Sequence, residues 1–257
     1  MTKLEILKND IKKLGNLAVA FSGGVDSSLL LNVAADVLGE NVLALTVKSP
    51  YMSLREIDEA AQFAKFYGIR HEIFEVGIVD EIKLNPQNRC YLCKKAVFSR
   101  LLARAKEIGF TNLADGTNKD DLGEYRPGLK AKEELGVLSP LINLRKFEIR
   151  ELSRELNLAT AEKPSYACLL TRLPHEKEIS VDELNLVEAA ENLLIKSGYE
   201  NVRARLDDRK MKLQMPFSSM QSFLNDVKFK FIVKELVARG AAEVTLDLKG
   251  LREDVLV

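Results

Sequence analysis

The chain has 257 residues, 46% of them hydrophobic, which fills the core of one large domain or of a large and a small one. Lys plus Arg and Asp plus Glu stand at 38 each, so no net positive field draws the whole protein to nucleic acid or an anionic membrane, and a small-molecule substrate is the default. Three cysteines, an odd number, suit neither a disulfide framework nor a secreted setting.

Met1 to Leu14 is a charged amphipathic pattern without the apolar stretch of a signal peptide, and no later segment approaches the roughly 18 apolar residues of a membrane span. A cytoplasmic protein without membrane attachment is expected. Leu17 to Phe21 is an apolar run of strand length, and Ser27 to Leu38 repeats its apolar positions as a helix that stops at Gly39. Val42 to Val47 predicts a second strand, Leu54 to Tyr67 a helix with Gly68 behind it, and His71 to Val76 a third strand. Beyond the Cys90 region, Lys94 to Ile108 predicts a helix closed by Gly109. Asn112 to Ala114 follows as a short buried strand and Phe147 to Leu156 as another helix.

Such alternation predicts an α/β fold: a mainly parallel, Rossmann-like sheet with helices on both faces. Ligands of these sheets bind beyond the carboxyl ends of the strands, the edge that carries the glycine loop after Phe21, Asp115 and the loop after Val76. Around Lys163-Pro164 the pattern changes. A loop with Cys168 is followed by a helix from Val181 to Ser197, strand-like Val202 to Met215, a helix from Met220 to Arg239 and a strand from Val244 to Leu248. The expected division is residues 1–165 for the large domain and 166–257 for a smaller α+β domain.

The segment Ser22-Gly23-Gly24-Val25-Asp26-Ser27-Ser28 lies between the first strand and its helix. A phosphate-binding loop needs converging backbone N–H groups, glycine where a side chain would block approach, and the positive end of a helix dipole. Gly23 and Gly24 meet the steric need, and Ser22, Ser27 and Ser28 add hydroxyl donors. Asp26, at the helix start, accepts from backbone N–H groups or helps hold Mg2+. An ordinary strand-to-helix turn with a serine cap is the plainer alternative.

The string resembles the PP-loop family, whose members bind ATP and cleave it between the α and β phosphates, and it lacks the Lys of a Walker A loop. The resemblance implies adenylation with pyrophosphate as leaving group, its charge met by the loop amides and Mg2+. Three further segments narrow the likeness: Asn88-Arg89-Cys90-Tyr91-Leu92-Cys93-Lys94-Lys95, the polar string from Asp115-Gly116-Thr117-Asn118 to Arg126-Pro127-Gly128, and Lys163-Pro164-Ser165-Tyr166-Ala167-Cys168-Leu169-Leu170-Thr171-Arg172. Together with the glycine loop they look like the LarE family, through most of residues 15 to 175 and more thinly beyond. Read on its own, Asp115 follows a strand on the ligand edge, Gly116 allows a turn, and Thr117 with the polar stretch after it contacts a nucleotide or forms a structural turn.

The LarE resemblance implies an enzyme that activates carboxylates of a pyridinium-3,5-biscarboxylate mononucleotide with ATP and replaces oxygen by sulfur, toward the nickel-pincer nucleotide cofactor. A C-x-x-C pair on a loop, with a third cysteine, fits an iron-sulfur cluster, zinc completed by His175, or a reducible disulfide. The family resemblance implies either a lone cysteine at the Cys168 position that gives up its own sulfur, or three cysteines holding a cluster. With all three present, Cys90, Cys93 and Cys168 are expected to hold a 4Fe-4S cluster with one iron free to carry sulfide.

Arg203 and Arg205 alternate on a strand and share one face, and with Arg172 they are candidate ligands of a substrate phosphate, the role the family's similar R-x-R suggests. Glu188 and Glu191 read as solvent-facing and His71 as structural or exposed. The family's C-L-x-S-R stands here as Cys168-Leu169-Leu170-Thr171-Arg172, which keeps a hydroxyl. Expected partners are a small-molecule mononucleotide and a sulfide source or sulfur-donor protein, in a homo-oligomer whose second domain binds substrate or assembles subunits. The rivals are a PP-loop tRNA thiolase, an ATP-dependent amide-forming enzyme and a zinc-stabilised nucleotide-binding module without turnover. Balanced charge and the lack of a basic, aromatic RNA platform weigh against the first.

Overall fold

A computed structural model describes residues 1–123 and 127–251. The chain separates into two compact units: Met1–Ile82 with Asn88–Ser165, and the short strap Lys83–Gln87 with the chain from Tyr166 onward. Among the described residues no helix is long and apolar enough to cross a membrane.

The first unit is a parallel sheet of β1 (Leu17–Ala20), β2 (Val42–Lys48), β3 (His71–Glu75) and β4 (Leu113–Ala114), in the order β3-β2-β1-β4. Continuous apolar runs make β1 and β2 central, because a parallel strand covered on both faces has no solvent side to alternate toward. The helices are α1 (Lys3–Lys12), α2 (Val25–Leu38), α3 (Leu54–Phe66), α4 (Arg89–Glu107), α5 (Pro127–Glu134) and α6 (Lys146–Glu155). Thr2 and Glu5 start α1 by exchanging side-chain and backbone hydrogen bonds, and Gly39, at φ +57°, stops α2.

From β1 the chain steps to β2 and β3 on one side, then returns to lay β4 on the other side of β1. Right-handed crossovers therefore put α2 and α3 on one face and α4 on the other. The carboxyl ends of β1 and β4 are adjacent, which is the switch point where α/β sheets open a ligand crevice.

Helix α4 corrects an expectation: it begins at Arg89, five residues before Lys94, so the Cys90 to Cys93 pair sits on its first turn and not on a loop. Arg89 to Cys93 lacks apolar periodicity, which masks the start, although Asn88 is of a capping type; it caps the helix without a side-chain bond. Helix α5 begins at Pro127 and so takes the last two residues of the polar string expected to be a loop.

The second unit holds α7 (Val181–Lys196), β5 (Arg203–Asp207), β6 (Lys210–Gln214), α8 (Phe217–Asn225), α9 (Phe229–Ala238) and β7 (Glu243–Leu246). Its sheet runs β5-β6-β7, antiparallel then parallel. Asp208 and Arg209, both left-handed at φ +46° and +63°, fold the Val202 to Met215 segment into a two-residue hairpin. The single helix expected from Met220 to Arg239 is two. Asp226, extended at ψ 132°, interrupts it, and its carboxylate accepts from the Lys228 backbone N–H (2.8 Å) and the Tyr199 hydroxyl (2.8 Å). The strap joins this unit through Asn85, fully buried, whose amide donates to Pro174 O at 2.7 Å and Leu173 O at 3.4 Å.

Candidate functional site

The loop after β1 is held by its own hydroxyls. Ser22 and Ser27 Oγ lie 3.1 Å apart, Ser27 Oγ accepts from Ser22 N (3.3 Å) and donates to Gly24 O (3.2 Å), and Ser22 Oγ accepts from Gly24 N at 3.4 Å. Gly23, at φ +70°, is the position a side chain cannot take: a Cβ there would stand 3.0 Å from Ala60 Cβ on α3. Gly24 is the N-cap of α2, so the amides that follow point their positive dipole end out of the sheet edge. Ser28 Oγ is fully buried with no hydrogen-bond partner.

The loop after β4 packs against this one. Asn118 Nδ2 donates to Asp26 Oδ1 at 3.2 Å, and a Cβ on Gly116 would fall 2.8 Å from Ser27 N. The buried Asp115 carboxylate takes Thr117 N (3.2 Å), Thr117 Oγ1 (2.8 Å), Ser139 Oγ (2.9 Å) and the Lys132 ammonium. Lys132 also touches Thr117 Oγ1. Asp115 and Thr117 thus brace the loop with their side chains, which leaves backbone and Gly116 at the crevice. Glu124, Tyr125 and Arg126 of the same string lie outside the described residues.

Three lysines absent from the sequence-based candidates stand in this region. Lys132 has been described; Lys146 Nζ binds Asp26 Oδ2 at 2.6 Å, and Lys163 Nζ donates to Gly23 O at 2.8 Å and Glu59 Oε2 at 2.6 Å. Lys163 was visible in a quoted motif but had no spacing to tie it to the glycine loop; Lys132 and Lys146 carried no signal at all. Each Asp26 oxygen has one partner, so Mg2+ at that carboxylate would share it with Lys146 and Asn118. His71 is half-buried. The Thr46 hydroxyl donates to Phe21 O at 2.7 Å and so accepts from His71 Nε2, also at 2.7 Å, a structural link between β1, β2 and β3. Burial holds the His71 pKa below its ordinary value.

Cys90 and Cys93 are neighbours one turn apart on α4, Cys90 exposed and Cys93 partly covered. Burial pushes the Cys93 thiol up and the charge of Cys90 adds to it, while the hydroxyl of buried Tyr51, 3.3 Å from Sγ, and Lys94 oppose the shift. Two sulfurs side by side on a helix turn are a donor pair suited to soft metals. Cys168 belongs to the second unit, and among the described residues no group of three or more His, Cys, Asp or Glu side chains is gathered that could hold a metal ion.

Within the second unit, Cys168 is exposed and opens a short turn, Leu169–Arg172. The Thr171 hydroxyl donates to Cys168 O at 2.9 Å, and Arg205 Nη1 donates to Thr171 O at 2.7 Å. Arg205 Nε goes to Gln214 Oε1 at 2.6 Å. Burial, and then the Arg172 charge, lower the Arg205 pKa against Asp247 and Glu191, although a guanidinium stays charged. Arg172, expected on a substrate phosphate, is buried at 2% exposure with Nε and Nη2 on Glu191, at 2.6 and 3.2 Å. Glu191, expected to face solvent, is buried too and accepts from Ala204 N at 2.9 Å. Arg172 and Arg205 therefore brace the turn after Cys168. His175 Nδ1 is 3.2 Å from Asn85 O in the same unit.

A family model described as NAD synthase matches residues 2–107. The chain is 38% identical to an uncharacterized protein of Synechocystis sp., over 99% of this chain and 97% of that one. It is 34% identical to the pyridinium-3,5-bisthiocarboxylic acid mononucleotide synthase of Lactiplantibacillus plantarum, over 98% of this chain and 92% of that enzyme. A tRNA-specific 2-thiouridylase of Carboxydothermus hydrogenoformans is 30% identical over 57% of this chain and 52% of its own length.

Proposed function

We propose, from the premise that this chain belongs to the LarE family of ATP-using PP-loop sulfurtransferases, that it transfers sulfur to an adenylated carboxylate of pyridinium-3,5-biscarboxylate mononucleotide, toward the nickel-pincer nucleotide cofactor. The observation that carries the reading is the packing of the Gly116 loop directly on the glycine loop at the switch point of the parallel sheet, in a chain that aligns with its relative almost end to end.

ATP enters with Mg2+, its phosphates on the amides that open α2 and on the hydroxyls of Ser22, Ser27 and Ser28. The substrate carboxylate attacks the α-phosphorus, the α–β bridging bond breaks, and pyrophosphate leaves with its charge met by the loop. Asp26, already neutralised by Lys146, orients the helix start against Asn118. A sulfur nucleophile then attacks the acyl carbon and AMP departs. A 4Fe-4S cluster on Cys90, Cys93 and Cys168 would supply that sulfur from its open iron. The helix turn presents Cys90 and Cys93 together, and the turn braced by Arg172 and Arg205 presents Cys168. Arg203 and Arg205, on one face of β5, are the proposed ligands of the mononucleotide phosphate.

Anaerobic purification followed by iron, sulfide and zinc quantification tests the cluster: iron and sulfide are expected, and zinc without iron refutes it. Pyrophosphate release that depends on the carboxylate acceptor tests the chemistry, and formation of ADP refutes it. Salt-sensitive tRNA binding would favour the thiolase reading instead.

A further inference from the structure

We propose that Lys163 is the counter-charge for the β- and γ-phosphates of bound ATP, the ammonium that the glycine loop does not carry itself. The inference rests on the ATP-using reading of this loop and extends it to a residue 140 positions away. No Lys or Arg occurs between Leu17 and Val47, so the loop and all of α2 are without a cation of their own. Lys163 brings one to the loop carbonyl of Gly23 at 2.8 Å. On the first turn of α2, Ser28 Oγ is fully buried and without a partner, a polar group left unanswered by the protein.

Geometry separates Lys163 from Lys146, the ammonium bonded to the first turn of α2. Lys146 is the cation on Asp26, whose other oxygen has only the neutral Asn118 amide, so moving Lys146 toward phosphate strips a carboxylate beside the incoming anion. Lys163 is released more cheaply. Its partner Glu59 keeps a second cation, Arg55 Nη1 at 2.8 Å from Oε1. Burial pulls the Glu59 carboxyl upward, yet Lys163 and Arg55 together hold it below its ordinary value. The Lys163 backbone is fixed, since buried Arg150 donates to Lys163 O at 3.1 Å and to Ala161 O, so only the side chain has to re-aim from Glu59. A lysine ammonium has three donors, so one remains beyond those given to Gly23 and Glu59.

The test compares ATP and AMP binding to the full chain by titration calorimetry, with Lys163→Met keeping the aliphatic stem and Lys163→Arg keeping the charge. Loss of a charge-assisted contact to the outer phosphates should weaken ATP about tenfold or more in the Met variant while AMP changes by less than about twofold, and Arg should retain most of the preference. Equal loss for both nucleotides, as a merely structural role would give, overturns the proposal, and so does an unchanged ATP affinity. Wild-type protein that binds ATP but releases no pyrophosphate with the acceptor would refute the AMP-forming reaction and leave the affinity ratio to judge Lys163 on its own.

Discussion

Gly116 and Asp26 are packed so closely that a methyl group on the glycine would stand 2.9 Å from the Asp26 Cβ and 2.8 Å from the Ser27 N. The atoms it would meet belong to the first turn of α2, so neither loop yields without shifting the helix start. Gly116→Ala should therefore cost about 1–3 kcal/mol in stability, as overpacking does, and should reduce ATP affinity more than that loss explains. Chemical denaturation beside nucleotide titration reads both, and wild-type ATP binding would contradict it.

Lys132 is 3% exposed in its side chain and carries the only ammonium drawn to Asp115 among the ion pairs of the described residues. Lys132→Met leaves that buried carboxylate its hydrogen bonds from Thr117 and Ser139 but no counter-charge, and a loss of about 3–5 kcal/mol is expected from breaking a buried pair on one side. Lys132→Met with Asp115→Leu should recover part of it, because the isolated charge is gone. Equilibrium unfolding of the three variants checks the order.

In the second unit the Arg172 and Glu191 pair predicts an asymmetric result. Glu191→Leu strands a buried guanidinium and removes the acceptor of Ala204 N, again about 3–5 kcal/mol. Half-buried Glu188, on the same helix, should lose less than Glu191 when it is replaced by alanine. Sulfur transfer in any folded Glu191 variant should fall more than pyrophosphate release, since the turn it braces follows Cys168 and not the glycine loop. Equal loss of both activities would count against that role.

His71 gives a pH dependence whose sign follows from its environment. Its folded-state pKa is lowered by burial, so the unfolded chain binds the proton more tightly. The stabilisation from its neutral form is complete above the ordinary value of 6.5 and is lost as pH falls through the lower folded value. Unfolding free energy of the wild type should decline on acidification below about pH 6.5, and His71→Gln should flatten that slope. Identical slopes would remove His71 as the cause.

Much of the first unit was legible because its signals are local. Continuous apolar runs at β1 and β2, and a glycine pair at a strand-to-helix junction, predict a parallel sheet with a phosphate loop, and the α/β fold is what forms. The departures have equally local causes. Arg89 to Cys93 hides a helix turn because its apolar residues run on without a helical period, and Asp226 breaks a helix that apolar periodicity alone runs straight through. Arg172 and Glu191 were misread because charged residues are usually exposed, and a buried pair is seen only when both partners are located.

By itself, then, the amino-acid order determined the elements of the sheet, the loop chemistry and the family, all of which depend on neighbours within a few residues or on a recognisable string. The tertiary structure alone decided which charge meets which: Lys146 on Asp26 across 120 positions, Lys132 on Asp115, Lys163 on Gly23. Ion pairing depends on distance in space and on desolvation, and neither is encoded in spacing along the chain.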